Sequence, residues 1–405
     1  MSHGEDGKRD GFTRRELLRA TGIGAAAGLL LPLGGGARAA PAPEAGLPQV
    51  PRRRLGKTGR DVPVLLMGCG IRLDERFDPK LGEALRFGVN YFDTARDYGG
   101  GSSETAIGNF LERTRKRPDV WITTKTERWD PKGMVDSLET SLRALKTDHV
   151  DLFFLHGLND GKALTPEVAE AAARLKKEGR VKAFGFSCHD GNVAELLTQA
   201  ASLPWIDAVM FRYSFRQYGN RELNAAIDLA AKADIGLIAM KTQGSESGIE
   251  DAWKKFEKTG KWNKFQSVLK AVWADPRIAA AVSSMDSFEK LKQNVAAAVD
   301  RHELGAAERR SLDRYAADTR TAACDGCDHL CNPAVAAPVK IGSTLRFLMY
   351  HDAYGDRDEA LRRFRELPAE ARRLDGVDFA PAARACPHGV DVVAQMERAR
   401  EIFCG

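Results

Sequence analysis

Long hydrophobic runs are missing from this 405-residue chain. The longest weakly apolar stretch, 21–33, holds 13 residues, short of the roughly 20 needed to cross a bilayer, so no stable membrane span is expected. A surplus of charge is missing as well. Residues 1–39 carry six of the 61 Lys and Arg and four of the 56 Asp and Glu, which leaves 55 against 52 in the remainder. That balance gives no reason to expect nucleic acid or a membrane surface as partner. Also lacking is a clear Gly-x-Gly-x-x-Gly turn after any candidate strand, which argues against an open dinucleotide-binding sheet. Cysteine is scarce before residue 300: of seven in the chain, Cys69 and Cys188 alone lie there.

What is present begins with an address. Arg14 and Arg15 precede an apolar pair, Leu17 and Leu18, and a short apolar run, and Ala37-Arg38-Ala39 forms a small-x-small cleavage site. This pattern resembles a twin-arginine export signal, which implies transport of a folded protein, with any cofactor already inserted, to the periplasm or an equivalent exported location. The proline-rich stretch 40–51 reads as a linker, so 1–51 is set apart from the fold. A hydrophobic fraction of 43% and a charged fraction of 29% are ordinary for a soluble globular protein.

From residue 52 to about 300 apolar strand-like segments alternate with amphipathic helical ones. Strands are expected at 63–67, 90–94, 120–125, 150–156, 181–187, 208–213, 236–241 and 279–284. Helices are expected at 104–113, 134–145, 166–177, 193–201, 221–232 and 288–299. Continuous apolar strands joined by helices are the signature of parallel β/α units with both sheet faces covered. Eight of them predict an α/β fold, a (β/α)8 TIM barrel at 52–300, followed by a helical domain at 301–405.

In such a barrel, chemistry belongs at the C-terminal strand ends. Asp93, Lys125 and His156 end the second, third and fourth strands, and Tyr98 follows in the loop FDTARDYGGGSSE. A lysine closing VWITTK and a histidine closing DLFFLH are hard to explain as packing. With RRLGKTGRDVPVLLMGCG at the start, GFS at the fifth strand and SFEKLKQN after the eighth, the chain resembles the aldo-keto reductase family from Arg52 to roughly Asn294. The resemblance implies that Tyr98 gives a proton to a carbonyl oxygen as hydride arrives from NAD(P). Lys125 then lowers the tyrosine pKa, Asp93 holds Lys125, and His156 orients the carbonyl. The implied substrate is a small-molecule carbonyl or alcohol.

The nicotinamide side departs from the family pattern. Ser187 matches the serine that contacts the carboxamide, but Cys188 stands where asparagine is usual, Met210 where glutamine is, and Met240-Lys241 where an aromatic stacks. Ser283 and Ser284, with the helix start that follows and Asn294, are placed to hold the pyrophosphate end; Asp286 points to NADH over NADPH.

Beyond residue 300, CDGCDHLC and ACPHG carry Cys324, Cys327, Cys331 and Cys386; Cys404 stands apart. A disulfide framework after export is one reading, but closely spaced Cys-x2-Cys pairs more often hold a metal or cluster. Compared with a two-cluster ferredoxin pattern, three cysteines of the first run and one of the second survive, the ligand set of one cluster. The tail resembles the ferredoxin-like extension of one aldo-keto reductase branch, which implies a [4Fe–4S] cluster; zinc on the same thiolates is the alternative. An electron-transfer partner follows from the cluster. The competing reading is an exported iron–sulfur electron-transfer or binding protein on a barrel that no longer uses nicotinamide.

Overall fold

Eight short parallel strands close on themselves in this computed structural model, which describes residues 46–243, 262–318, 324–353 and 357–405. The twin-arginine stretch and most of the 242–262 loop lie outside the described residues. The barrel strands are β3 (Leu65–Gly68), β4 (Tyr91–Asp93), β5 (Trp121–Thr126), β6 (Val150–Leu155), β7 (Val181–Cys188), β8 (Ala208–Arg212), β9 (Gly236–Met240) and β10 (Ala280–Ser284). Each pairs with the next, and β10 closes on β3. All eight fall where the apolar runs predict them.

The runs are continuous because both strand faces are buried. In β6, Leu152 and Phe154 point into the barrel with Leu66, Tyr91, Met210 and Ile238. Phe153 and Leu155 point outward into the layer shared with the helices. Those helices are α1 (Pro79–Arg86), α2 (Ser102–Thr114), α3 (Pro131–Leu145), α4 (Pro166–Lys177), α5 (Val193–Ala201), α6 (Arg221–Lys232), α7 (Lys264–Trp273) and α8 (Phe288–Val299). Asp130, Thr165, Asn220 and Ser287 cap α3, α4, α6 and α8 by accepting from backbone N–H groups of the first turn.

A two-stranded hairpin, β1 (Arg52–Arg54) and β2 (Asp61–Pro63), comes before the barrel and brings Leu55 and Val62 into its inner layer. Arg53 holds it there by donating to the carbonyls of Trp273, Asp275 and Ile278.

After α9 (Ala306–Asp318) come α10 (Asp328–Cys331), α11 (Ile341–Ala353), α12 (Arg357–Glu366), α13 (Ala380–Ala385) and α14 (Val392–Cys404). They enclose their own apolar cluster, with Val339, Leu345, Phe364, Leu374 and Met396 at its centre. Ion pairs join these helices to the C-terminal strand ends: Arg212 to Asp325 at 3.0 Å, Arg346 to Asp190 at 3.0 Å and Arg363 to Asp97 at 3.2 Å. The helical residues therefore sit over the end of the barrel where the candidate chemistry lies.

Candidate active site

β4, β5 and β6 run side by side, with Asp93 paired to Thr123, two residues before Lys125, and Lys125 paired to Phe154, two residues before His156, so the three residues step across neighbouring strand ends at the barrel mouth. Tyr98 reaches the same place through the turn that follows β4. Gly99, Gly100 and Gly101 all take positive φ, 59°, 67° and 100°, which an L side chain rarely adopts. The three glycines turn the chain into α2 and leave Tyr98 over the mouth.

Lys125 is buried and spends its three protons within the site. It donates to Asp93 Oδ2 at 2.9 Å, to the Thr94 carbonyl at 2.8 Å and to the Tyr98 hydroxyl oxygen at 3.4 Å. The Tyr98 oxygen accepts from Lys125, so its own proton is available to a substrate. The expected lowering of the Tyr98 pKa does not hold. Burial first, then Asp93 and Asp97, push the phenol well above its ordinary value. The Lys125 ammonium does not offset these, because it is shared with the Asp93 carboxylate 2.8 Å away. Tyr98 stays protonated across the working range, as a donor must.

His156 ring-stacks edge-on to Tyr98 at 5.6 Å. Its Nδ1 lies 3.0 Å from Asp97 Oδ1, which leaves Nε2 for the cavity. Asp97 was not singled out from the sequence. Burial alone raises its pKa, but His156 and Arg363 outweigh burial and hold the carboxyl well below the usual range.

The other half of the mouth is built differently. Ser187 is buried, and its hydroxyl accepts from the Gly157 N–H at 3.1 Å. Ser283 donates to Gln243 at 2.6 Å and accepts from Asn294 at 2.9 Å, a network beside the start of α8. Ser284 is exposed, and the helix is capped by Ser287. Asp286 pairs with Lys290 at 2.6 Å. Lys241 donates to the Tyr350 hydroxyl at 2.8 Å. Together Tyr98, His156, Lys241, Tyr350 and Arg346 border a cavity of about 950 Å³.

The sequence profile of the aldo/keto reductase family matches residues 74–293, more than half of the chain. The chain belongs to this family. As an aldo-keto reductase it is an NAD(P)-dependent oxidoreductase by class. The uncharacterized oxidoreductase YqkF of Bacillus subtilis is 26% identical over 286 residues, 61% of this chain and 90% of its own. Two solved aldo-keto reductases superpose on the barrel. The Bacillus halodurans enzyme AKR11C1, in its holo form, gives a TM-score of 0.54 at 25% identity, covering 66% of this chain and 96% of that one. A thermostable enzyme, Tm1743, solved with the inhibitor epalrestat, gives 0.55 at 26% identity, covering 65% and 99%.

The helices after residue 300 lie beyond the matched segment of this aldo-keto reductase, yet they reach its mouth. Arg363 pairs with Asp97, the partner of His156, and Arg346 with Asp190. Tyr350, Arg346 and Arg363 were not singled out from the sequence. The CDGC loop rests on the turn after β7: a β-carbon added to Gly191 would stand 2.9 to 3.1 Å from Cα, Cβ and Sγ of Cys327, so only glycine fits there. Arg212, at the end of β8, donates to the Cys324 carbonyl at 2.6 Å.

Cys324, Cys331 and Cys386 adjoin the second apolar cluster. Backbone N–H groups donate to two of the sulfurs, Gly326 to Cys324 and Val390 to Cys386, each at 3.4 Å. Burial, then Asp325 and the nearby Cys324, push Cys327 up to about 12. Burial, Asp328 and Cys324 push Cys331 up to about 12. Cys404 is exposed, and Cys69 and Cys188 are buried at strand ends.

Proposed function

We propose that this aldo-keto reductase is exported by the twin-arginine route to the periplasm, that it interconverts a small carbonyl and its alcohol, and that it carries a [4Fe–4S] cluster in a ferredoxin-like module. On this reading residues 52–300 are the barrel and 301–405 the module. The observation that carries the catalytic part is the buried Asp93–Lys125 pair donating to the Tyr98 oxygen, with His156 against the tyrosine ring.

Tyr98 supplies the proton, and Lys125, fixed by Asp93, takes up the developing charge on its oxygen. His156, oriented by Asp97, steers the carbonyl oxygen. Ser187 and Lys241 border the place of the nicotinamide, and Ser283, Ser284 and Asn294 that of the pyrophosphate. The Ser283–Asn294 network and the adjacent α8 N-terminus supply polar donors of the kind a dinucleotide needs. When bound, the nicotinamide supplies the hydride. Asp286 favours NADH, although its charge is shared with Lys290.

For the cluster, the donor set is the support. Four soft thiols lie in one module, and two already receive backbone N–H groups. Among the described residues, no three of these sulfurs lie within 4.8 Å of one another. Zinc on the same four thiolates is the alternative.

The test is Tyr98→Phe assayed with 4-nitrobenzaldehyde and NADH. Turnover is expected to fall about a thousandfold with NADH binding kept; unchanged turnover would remove Tyr98 as the acid. Elemental analysis of anaerobically made protein is expected to show iron, and zinc without iron would exclude the cluster. One observation favours the second reading, an electron-transfer protein without nicotinamide: Lys241, at the expected nicotinamide site, is engaged by Tyr350. Failure of the native protein to release or bind any nicotinamide nucleotide would decide for it.

A further inference from the structure

One charged contact from the helical module reaches the residue that orients His156. Asp97 lies in the turn after β4, and its two carboxylate oxygens meet two distant parts of the chain. Oδ1 is 3.0 Å from His156 Nδ1, just past β6. Oδ2 accepts from Arg363 Nη2 of α12 at 3.2 Å. A second carboxylate stands close by. Glu127, just after β5, is 4.0 Å from Arg363 Nη1, and oxygens of Asp97 and Glu127 lie within 4.8 Å of each other and of a His156 ring nitrogen. Among the described residues, Arg363 is the only lysine or arginine paired with either carboxylate.

We infer that Arg363 is a positioning residue of this active site: it fixes the Asp97 carboxylate and, through it, the His156 ring, so the barrel's catalytic set is complete only with the module docked. The inference rests on the carbonyl–alcohol reading above. A carboxylate held at one oxygen can still rotate about its Cβ–Cγ bond; held at both, by partners on separate elements, it is fixed. The turn needs such an outside hold. Asp97 and Tyr98 are followed directly by Gly99, Gly100 and Gly101, and glycine loses more conformational freedom on ordering than any other residue. Lys125 holds Tyr98 from the barrel, and Arg363 holds Asp97 from the module. The guanidinium also offsets the repulsion between the two neighbouring carboxylates.

The exposure of the pair points the same way. The Arg363 and Asp97 side chains are 23% and 24% exposed, and an ion pair this open to water adds little to stability. Its effect falls on orientation instead. The contact between Nδ1 and Asp97 leaves Nε2 of His156 facing the cavity, with the ring edge-on to Tyr98 at 5.6 Å. A carboxylate that swings away frees the ring to turn, and a misplacement of about 1 Å costs up to a hundredfold in rate. Arg363 also borders the cavity itself, so a direct hold on the substrate is the competing role. The two roles differ in the kinetic constant that they move.

The experiment follows the full-length wild type, Arg363→Ala, Asp97→Asn and the double variant by 4-nitrobenzaldehyde reduction with NADH and by NMR of isotope-labelled histidine rings. In Arg363→Ala, kcat is expected to fall about tenfold, with KM for the aldehyde and Tm unchanged. Arg363→Lys keeps part of the activity, and guanidinium chloride added to Arg363→Ala restores part of it. In the Asp97→Asn background Arg363→Ala costs no further activity, because the arginine acts through that carboxylate. The His156 Nδ1–H signal, identified by its loss in His156→Gln, moves and broadens in Arg363→Ala. Arg398→Ala, which breaks the pair with Asp352 inside the module, leaves kcat and the signal alone. A raised KM with kcat kept makes Arg363 a substrate contact and overturns the inference. So do an equal loss in the Asp97→Asn background, an equal loss in Arg398→Ala, or a His156 signal that stays in place. A wild type that reduces no aldehyde with NADH or NADPH sinks the carbonyl reading, and the His156 signal then decides the positioning by itself.

Discussion

The two halves of the barrel mouth solve different problems. On the β4–β6 side, Asp93, Lys125, Tyr98 and His156 are linked by hydrogen bonds of 2.9 Å and 3.4 Å from Lys125 and by an edge-on contact between the Tyr98 and His156 rings. On the β7–β10 side the expected cofactor residues mostly turn to partners of their own. Ser187 is tied to Gly157, Ser283 to Gln243 and Asn294, and Lys241 to Tyr350. The first half is a proton device whose Asp93, Lys125, Tyr98 and His156 all come from the barrel, with Arg363 of α12 reaching in to pair with Asp97. The second is where the C-terminal helices enter, through Tyr350 and the Gly191–Cys327 contact. On the proposed reading, the comparison teaches that the proton-transfer side is built within the barrel while the cofactor side meets the C-terminal helices.

The largest break expected is Tyr98→Phe, described above, because it removes the only atom of the first half that carries a transferable proton to substrate. Next is Lys125→Met. The lysine and Asp93 are 1% and 4% exposed, so removing one partner strands a buried carboxylate. Destabilisation of about 3–5 kcal/mol is expected, measurable by urea unfolding at neutral pH. The double change Asp93→Leu with Lys125→Met is expected to recover much of that stability and none of the activity. A single variant as stable as wild type would show the first half to be less tightly coupled than its geometry indicates.

A smaller effect sharpens the boundary between the halves. Asp97 touches both, since it orients His156 and pairs with Arg363 of α12. Asp97→Asn keeps the shape but removes the charge, so kcat is expected to drop about tenfold, the scale of one charge-assisted hydrogen bond. Because Asp97 also helps to raise Tyr98, the alkaline limb of the kcat/KM profile is expected to move to lower pH. A limb that stays in place would separate Asp97 from Tyr98.

The two halves also differ in how readily the sequence disclosed them. The eight strands were legible because apolar runs such as DLFFL and GLIAM are bounded by turns and capped helices. Asp93, Lys125 and His156 were legible because each interrupts such a run at its C-terminal end. The β1–β2 hairpin was not, since three arginines in a row carry no alternation from which to read a strand. The direction of the Tyr98 shift was missed because sequence places Lys125 near it but does not show how deeply the phenol is buried, the largest cause of the rise. Tyr350 and Arg363 lie more than 250 residues from Tyr98 and Asp97. Arg363, in ALRRFRE, has the pattern of a solvated helix face. Their roles depend on how the module docks, which no local pattern encodes.

The mildest prediction concerns His189, on the β7–β10 half between Asp190 and Arg346. Burial first, then Arg346, push its pKa down to about 3, against an ordinary value of 6.5. Above pH 6.5 the ring is neutral whether the chain is folded or not, so it contributes no pH dependence. As pH falls below 6.5 the unfolded chain takes up a proton that the folded one refuses, and stability declines until the pH nears 3. His189→Gln removes that proton uptake while keeping a polar side chain of similar reach. The fall in Tm between pH 7 and 4 is therefore expected to be a few degrees smaller in the variant than in the wild type. Equal falls would mean that His189 is not held neutral by the docked module. That half would then be looser at this turn than the proton half it faces.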